Sequence, residues 1–377
     1  MKASNYNKFN LPSLGSAIAI IIGFTLLSSC QVGRFIWYNF ADVNDHKIFN
    51  SRPLQASEKT FTFFYAAKER GPKTIQNGAK EQGFDSYLEE NKTLAFLIIK
   101  NDSIMYERYF DKYQANNAVP SFSMAKSVTS ILIGCAIADG LIKSVEEPIT
   151  QYIPELSANG FDKVSIKHVL QMTSGLNFNE SYVNPLGHAA SFYYGLNLRK
   201  SIKKLSLKRA PGQSFEYVSG NTQLLGLILE RALKGKTVTQ YLQEKLWTPL
   251  GMEYAASWSI DSEQSGLEKT FCCLNARARD YAKIGRLYLN KGNWNGQQIV
   301  PEKWVQESTK IDTTAGSAFY YQYQWWLPSK DGDFMAHGIL GQYIYVNPNN
   351  KVIIVRLGKT EGKTDWEEIF SALANSY

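Results

Sequence analysis

At residues 120–126 the chain reads Pro-Ser-Phe-Ser-Met-Ala-Lys, and an apolar segment with helical spacing continues from there to Asp139. Ser123 and Lys126 are three residues apart, so on a helix they lie on the same face, one turn apart. Burial lowers the pKa of a lysine and lets its amine accept the serine proton. Free N–H groups at the helix start favour developing negative charge. The stretch therefore predicts a nucleophilic serine with a lysine base.

A second Ser-x-x-Lys stretch, Ser201 to Lys204, has the same spacing. It lies in a basic cluster between residues 199 and 209, and such runs of charge mostly cover solvent-exposed surface. Ser123 instead opens a long apolar helix, in which a side chain can be held in place. We therefore expect Ser123, and not Ser201, to be the nucleophile.

A tyrosine motif, Tyr217-Val218-Ser219, follows a Pro-Gly turn and precedes a helix predicted over residues 222–233. A tyrosine on such a loop can point into a cleft. Beside a lysine ammonium, its pKa would fall below the usual value of about 10, and it could relay protons at neutral pH. The chain has 22 tyrosines, so a packing role is the alternative unless other motifs agree.

A glycine motif at residues 336–342, Ala-His-Gly-Ile-Leu-Gly-Gln, leads into a strand predicted over residues 343–346. Glycines beside a strand let a substrate approach the backbone. A free N–H in this motif can pair with the Ser123 N–H and form an oxyanion hole. The alternative is a glycine-rich strand entry that carries a half-buried histidine.

The predicted elements run from strands to helices, back to strands and finally to a helix. A β-hairpin is predicted at residues 94–109, strands at 320–327, 343–346 and 352–357, and helices at 123–139, 166–172, 222–233, 278–289 and 364–374. This order favours an α+β fold, an antiparallel β-sheet flanked by helices whose first and last strands meet. A mainly helical lobe would be inserted at about residues 140–275, and the cleft between lobe and sheet is the natural active site.

Residues 1–30 have the form of an export signal. Two lysines precede an apolar run at residues 14–27, which is shorter than the roughly 20 residues of a membrane-spanning helix. The run ends in Leu-Ser-Ser-Cys, which resembles a bacterial lipobox and implies that Cys30 is lipidated and becomes the new N-terminus. An uncleaved anchor or an ordinary signal peptide is the alternative. We expect a protein of the cell envelope, lipid-anchored on the periplasmic side or secreted, with residues 31–90 as a linker and cover.

Composition and spacing exclude several classes of function. Hydrophobic residues are 44% and charged residues 20% of the chain, as in folded globular proteins, and the net charge of +7 is too spread out for nucleic-acid binding. No His-x-x-x-His, Cys-x-x-Cys or Gly-x-Ser-x-Gly spacing occurs, so we expect no metal and no cofactor, and a Ser-His-Asp hydrolase is a weaker alternative. Cys135, Cys272 and Cys273 are expected to be unbridged apolar core residues, because adjacent cysteines rarely form a disulfide.

In this order, the serine-lysine, tyrosine and glycine motifs resemble the serine β-lactamase and penicillin-binding protein superfamily. The chain is most similar to the class C-like branch, which includes esterases, peptidases and the 6-aminohexanoate-dimer hydrolase type of amidase. The resemblance covers roughly residues 90–375. It implies a β-lactamase/transpeptidase-like serine hydrolase domain over residues 91–375.

The resemblance also implies roles for particular residues. Ser123 would be acylated, and Lys126 and Tyr217 would share the general-base and general-acid roles. Tyr182 would lie in the cleft near the leaving group of the substrate. The backbone N–H groups of Ser123 and Ile339 would form the oxyanion hole.

Two motifs depart from the family pattern. The usual Tyr-x-Asn ends in Ser219, and the usual Lys-Thr-Gly is Ala336-His337-Gly338, so Ser219, His337 and Gly338 are candidate substrate-binding residues. In β-lactamases that lysine helps to hold the substrate carboxylate, and losing a charge-assisted hydrogen bond costs about 1.5–3 kcal/mol. We therefore favour an amidase or esterase with a small-molecule substrate over a true β-lactamase. A non-catalytic envelope binding protein is the other alternative, because a fold does not fix a function.

Overall fold

The computed structural model describes residues 31–38, 40–78 and 80–377, so the predicted signal segment and Cys30 lie outside the described residues. The helices are α1 (Gln31–Tyr38), α2 (Phe84–Glu90), α3 (Met124–Ala138), α4 (Ile166–Leu170), α5 (His188–Tyr194), α6 (Leu198–Ile202), α7 (Ser219–Ala232), α8 (Val238–Leu242), α9 (Ala278–Leu289), α10 (Glu302–Ser308) and α11 (Trp366–Asn375). Within the described part, no helix is both long enough and apolar enough to cross a membrane.

The strands are β1 (Ser51–Leu54), β2 (Phe64–Tyr65), β3 (Thr74–Asn77), β4 (Lys80–Gly83), β5 (Thr93–Lys100), β6 (Ser103–Tyr109), β7 (Val119–Pro120), β8 (Ala256–Ser259), β9 (Leu274–Ala276), β10 (Asn293–Trp294), β11 (Gln297–Gln298), β12 (Tyr321–Gln322), β13 (Trp325–Trp326), β14 (Phe334–Gly338), β15 (Gln342–Asn347) and β16 (Val352–Gly358). An eight-stranded sheet has the order β12-β13-β14-β15-β16-β5-β6-β2, and a four-stranded sheet has the order β1-β8-β9-β7.

The first and last strands predicted from the sequence, at residues 94–99 and 352–357, are neighbours in the sheet as expected. β5 pairs antiparallel with β16 on one side and with β6 on the other. Asn101 and Asp102 connect β5 to β6 with positive φ values of 48° and 62°, which short asparagine and aspartate side chains tolerate in a tight hairpin turn. The α+β class predicted from the order of elements is therefore correct.

The large sheet is covered on both faces, which explains the uninterrupted apolar sequence of β5. Leu97 and Ile99 belong to the core on the face toward α3 and α9. Phe96 and Ile98 belong to a second core on the opposite face, beneath α2 and α11. Because successive side chains of a strand point to opposite faces, every second residue enters each core.

Residues 31–90, expected to be a linker and cover, contribute α1, α2 and the first four strands. β1 pairs with β8, and β2 pairs in parallel with β6 at the edge of the large sheet. The segment is thus built into both sheets.

The prediction of a single strand over residues 320–327 is wrong. The structure has two strands of two residues each, β12 and β13, which pair with each other. Tyr323 and Gln324 turn the chain between them with φ values of 40° and 70°. Alternate aromatic residues suggested a continuous strand, but the amide of Gln324 donates to the carbonyl oxygens of Val169 and Leu170, which holds the chain in a turn.

Candidate active site

Ser123 lies at the N-terminus of α3, immediately after a turn. Phe122 has a φ of 43° and is buried, while Ser123 remains partly exposed. The Lys126 N–H donates to the Ser123 carbonyl oxygen at 3.0 Å. This arrangement presents the Ser123 hydroxyl at the positive end of the helix dipole, one turn from the lysine.

The Lys126 side chain is 1% exposed and makes three hydrogen bonds. Its Nζ atom lies 2.8 Å from Ser123 Oγ, 3.1 Å from Ser219 Oγ and 3.1 Å from the Phe271 carbonyl oxygen. Burial lowers the pKa of Lys126 to about 8, because the ammonium form loses its hydration, and the charge of Glu180 opposes part of this effect. An appreciable fraction of neutral amine therefore faces the serine hydroxyl near neutral pH.

Tyr217 lies beside both groups, but its pKa moves in the direction opposite to our expectation. The Lys126 Nζ atom lies 5.0 Å from the centre of the Tyr217 ring. The pKa of Tyr217 is raised above its usual value, chiefly because the hydroxyl is withdrawn from solvent; a hydrogen bond with the Ser123 side chain opposes this only in part. The charge of Glu180 adds to the rise, so Tyr217 holds its proton at neutral pH and is placed to donate it.

Ser219 occupies the place of the asparagine in the usual Tyr-x-Asn motif. Its hydroxyl oxygen accepts a hydrogen bond from Lys126 Nζ, and the hydroxyl donates a hydrogen bond to Glu180 Oε1 at 2.5 Å. Asn221, two residues further on, is 1% exposed and bonds Ser174 Oγ through its Oδ1 atom, away from Lys126. A hydroxyl thus supplies the contact to the lysine at this position.

Glu180 is a residue of this site that sequence reasoning missed. Its carboxylate accepts from the Ser219 backbone N–H at 2.7 Å, from the Ser219 hydroxyl and from the Tyr182 hydroxyl at 2.9 Å. It thereby connects the loop that carries Tyr182 to the start of α7. The only signal in the sequence was its position two residues before Tyr182, and no spacing rule relates it to Lys126.

Tyr182 lies at the mouth of the site. The residue as a whole is 47% exposed, but its hydroxyl group is withdrawn from solvent. This desolvation is the main reason why the pKa of the hydroxyl is raised, and the charge of Glu180 adds to it. Tyr182 therefore stays protonated at neutral pH. The hydroxyl can act as a hydrogen-bond donor to a substrate if it leaves Glu180.

A cavity of about 50 Å³ opens beside Ser123. Four candidate site residues belong to its lining: Ser123, Tyr182, Ser219 and Ile339. The rest of the lining is mainly apolar and aromatic and consists of Phe35, Ala41, Phe122, Ala189, Ala190, Tyr193, Tyr194, Phe271 and Cys272. A larger cavity of about 1170 Å³ lies between the β3–β4 hairpin and α11, and Ser123 does not line it. The small cavity is therefore the one that matters for the chemistry.

Gly338 lies directly against the backbone of Ser121 and Ser123. A Cβ atom at this position would lie 2.4 Å from the Ser121 carbonyl oxygen and 3.0 Å from the Ser123 amide nitrogen. No residue with a side chain fits there without moving the backbone of the serine turn. Ile339 follows this contact and shares the cavity with Ser123, so the two backbones predicted to form the oxyanion hole are neighbours.

The structure does not place the His337 imidazole among the residues that line the cavity. Its Nε2 atom lies 2.8 Å from Glu361 Oε1, and its ring stacks on Tyr343 with the ring centres 4.4 Å apart. The contact with His337 lowers the pKa of Glu361 to about 2. The His337 ring is thus held between Tyr343 and the carboxylate of Glu361.

The expectation that Cys272 and Cys273 are unbridged is wrong, because the two form a disulfide with each other. Cys273 has a φ of 70°, and the segment is held by hydrogen bonds from Ser259 N–H to the Cys273 carbonyl and from Trp258 Nε1 to the Cys272 carbonyl. These contacts stabilise a turn in which the two sulfur atoms meet. Both residues are buried as predicted, and Cys135 is a buried free thiol.

The second Ser-x-x-Lys stretch has no comparable surroundings. Ser201 Oγ bonds Ser191 Oγ at 3.1 Å, and Lys204 is exposed to solvent. The two stretches are therefore distinguished by burial, as expected from their sequence context.

Comparison with known proteins identifies the family of the chain. The β-lactamase family profile matches residues 84–374. The chain belongs to the β-lactamase family. The 6-aminohexanoate-dimer hydrolase of Paenarthrobacter ureafaciens is 29% identical over 291 residues, which cover 72% of this chain and 73% of that protein. The chain is therefore a serine hydrolase of this family.

Two solved structures show the same fold. A Bacillus anthracis protein provisionally named a 6-aminohexanoate-dimer hydrolase has a TM-score of 0.79 and 24% identity, with 89% of this chain and 92% of that chain covered. A family VIII carboxylesterase has a TM-score of 0.62 and 15% identity, with 78% of this chain and 95% of that chain covered. These likenesses support the β-lactamase/transpeptidase-like fold.

Proposed function

We propose that the chain hydrolyses amide or ester bonds of small molecules through an acyl-enzyme on Ser123. The observation that carries the proposal is the buried Lys126, with its pKa lowered to about 8 and its Nζ atom 2.8 Å from Ser123 Oγ. A base with this pKa in hydrogen-bond contact with a hydroxyl is the arrangement that activates a serine nucleophile.

The proposed reaction has two halves. Ser123 Oγ attacks the substrate carbonyl carbon and gives its proton to neutral Lys126, while the N–H groups of Ser123 and Ile339 stabilise the oxyanion. The bond to the leaving group then breaks, and the Tyr217 phenol donates a proton to the departing nitrogen or oxygen and is reprotonated from Lys126. Water attacks the acyl-enzyme with the same groups in reverse roles, which releases the acid and restores the serine.

The departure from the usual Lys-Thr-Gly motif favours amides and esters over β-lactams. Ala336 occupies the place of the usual lysine and is completely buried, so it offers no charge to a substrate carboxylate. The named activity of the Paenarthrobacter relative, hydrolysis of a dimer of 6-aminohexanoate, supports a linear amide as one substrate class. β-Lactam hydrolysis and binding without catalysis are the alternatives that the experiment must separate.

The test is a hydrolysis panel with the full-length chain purified in detergent. We expect turnover of p-nitrophenyl esters and of a linear aminohexanoate dimer, and at least about tenfold lower kcat/KM for a chromogenic cephalosporin, as expected for a lost charge-assisted hydrogen bond. A preference for the cephalosporin would overturn the choice of substrate class. Binding of the substrates without turnover of any of them would indicate a non-catalytic binding protein.

Replacing Glu180 with glutamine is expected to move the ascending limb of the pH profile of kcat/KM to lower pH. The Glu180 charge raises the pKa of Lys126, so removing it lets this pKa fall below about 8, and the neutral amine forms at lower pH. The measurement is kcat/KM against pH, with the exposed Glu263→Gln as control. A loss of activity with an unmoved limb would show that Glu180 only holds Ser219 and Tyr182 in place.

We also propose that the protein is lipid-anchored through Cys30. Exposed apolar side chains soon after this position support a location at a membrane surface: Ile36 is 70%, Trp37 72% and Phe40 57% exposed. Cys30→Ala is expected to abolish incorporation of a clickable palmitate analogue and to shift the protein out of the membrane fraction. Unlipidated wild-type protein, shown by intact mass, would contradict the anchor.

A further inference from the structure

The cavity beside Ser123 is closed by the N-terminal segment as well as by the residues of the motifs. Phe35, from α1, and Ala41, from the segment that follows it, belong to the lining of the cavity. All other lining residues come from residues 122–339, the part of the chain that carries the recognised motifs. The segment before residue 84 lies outside the family match. The N-terminal segment therefore contributes one wall of the cavity from outside the family match.

Helix α1 is fixed in this position by packing on α5. The Phe35 ring meets the edge of the Tyr194 ring with the centres 5.6 Å apart. Phe35 and Tyr38 pack against a buried cluster that Phe49 forms with Ala190 and Tyr194. The apolar face of α1 thus continues the core into the wall of the cavity.

Polar contacts hold the same wall from the other side. The Tyr193 hydroxyl donates to Asp45 Oδ2 at 2.7 Å, which ties α5 to the chain that follows α1. The buried Lys269 Nζ donates to the carbonyl oxygens of Phe192 and Tyr193 at 3.1 and 2.8 Å. A position fixed by both packing and hydrogen bonds can discriminate between substrates by size.

The chemistry of the lining defines what the cavity can accept. Ser123 and Ser219 belong to the lining, and no residue of the lining carries a charged side chain. A cavity of about 50 Å³ has room for a group of a few heavy atoms. A charged substituent would lose its hydration there without gaining a partner, whereas a short alkyl group would lose nothing.

We propose that Phe35 is a specificity-determining residue, whose ring limits the cavity to a short, uncharged group next to the scissile bond of the substrate. This inference rests on the proposed hydrolase function. Truncating Phe35 would lengthen the cavity toward α1 without touching Ser123, Lys126 or Tyr217. One methylene group in an apolar pocket changes kcat/KM by about tenfold or more, so the effect is measurable.

The test uses two ester series with the full-length chain in detergent. One series varies the acyl group of p-nitrophenyl esters from two to ten carbons, and the other varies the alcohol of acetate esters over the same range, followed by proton release. We expect Phe35→Ala to raise the ratio of kcat/KM for eight-carbon over two-carbon substrates at least about tenfold in the series whose group enters the cavity. Phe35→Leu is expected to give a smaller shift in the same direction and preserves an apolar contact with Tyr194.

Ile36→Ala is the matched control, because Ile36 is the next residue of the helix and is 70% exposed. Its chain-length profile should equal that of the wild type. Unchanged profiles for Phe35→Ala and Phe35→Leu in both series would overturn the inference while leaving the hydrolase intact. A wild type that turns over neither series and shows no acylation would instead overturn the proposed function, and this inference with it.

Discussion

Ser123→Ala is expected to remove covalent labelling by a fluorophosphonate probe completely and to lower kcat/KM for esters by roughly 10⁴–10⁶-fold. The reason is that Ser123 is the partly exposed hydroxyl that contacts the lysine base. Ser219 also contacts Lys126, but it is 3% exposed and its proton is directed to Glu180. It cannot replace the nucleophile without breaking that contact.

The measurement is the intact mass of wild type and variant after exposure to the probe. Ser201→Ala is the matched control, because it removes the serine of the second Ser-x-x-Lys stretch, and it should keep both the single adduct and the activity. An adduct that persists on Ser123→Ala would show that another residue is the nucleophile. A folded wild type without any adduct would favour the non-catalytic binding protein.

The elements that the sequence predicted well are those whose pattern depends on local burial. The β5–β6 hairpin and α9 were found with nearly correct bounds, because their apolar residues follow a strand or helix period and their ends carry turn residues. The segment at residues 320–327 was predicted wrongly, because its alternating aromatic residues fit one continuous strand as well as they fit two short strands. Its actual turn at Tyr323 and Gln324 depends on hydrogen bonds to α4, which are distant in the sequence.

The residues of the candidate site also differ in how well the sequence predicts them. Ser123 and Lys126 could be paired from the sequence because a helix fixes their geometry, and the structure brings them together. Glu180 could not, because it reaches Ser219 from a loop 39 residues earlier. The direction of the Tyr217 pKa was also missed, since it depends on how far the hydroxyl is withdrawn from solvent, which no local pattern encodes.

The pH dependence of the wild type gives a second test of the proposed base. With a pKa of about 8, Lys126 is neutral in roughly a tenth of the molecules at pH 7 and nine tenths at pH 9. We therefore expect kcat/KM to rise about tenfold over this interval, with an apparent pKa near 8. Activity rises with pH because only the neutral amine, which predominates above the pKa, can accept the Ser123 proton.

Lys126→Ala is expected to lower kcat/KM by about 10²–10⁴-fold and to abolish this ascending limb. Lys126→Arg should not restore activity, because a guanidinium keeps its proton at every accessible pH. Lys204→Ala, from the second Ser-x-x-Lys stretch, is the control and should retain both rate and limb. If Lys126→Ala kept the ascending limb near pH 8, a different group would be the base. If Lys126→Arg were active, the positive charge rather than proton transfer would be what Ser123 needs from this position.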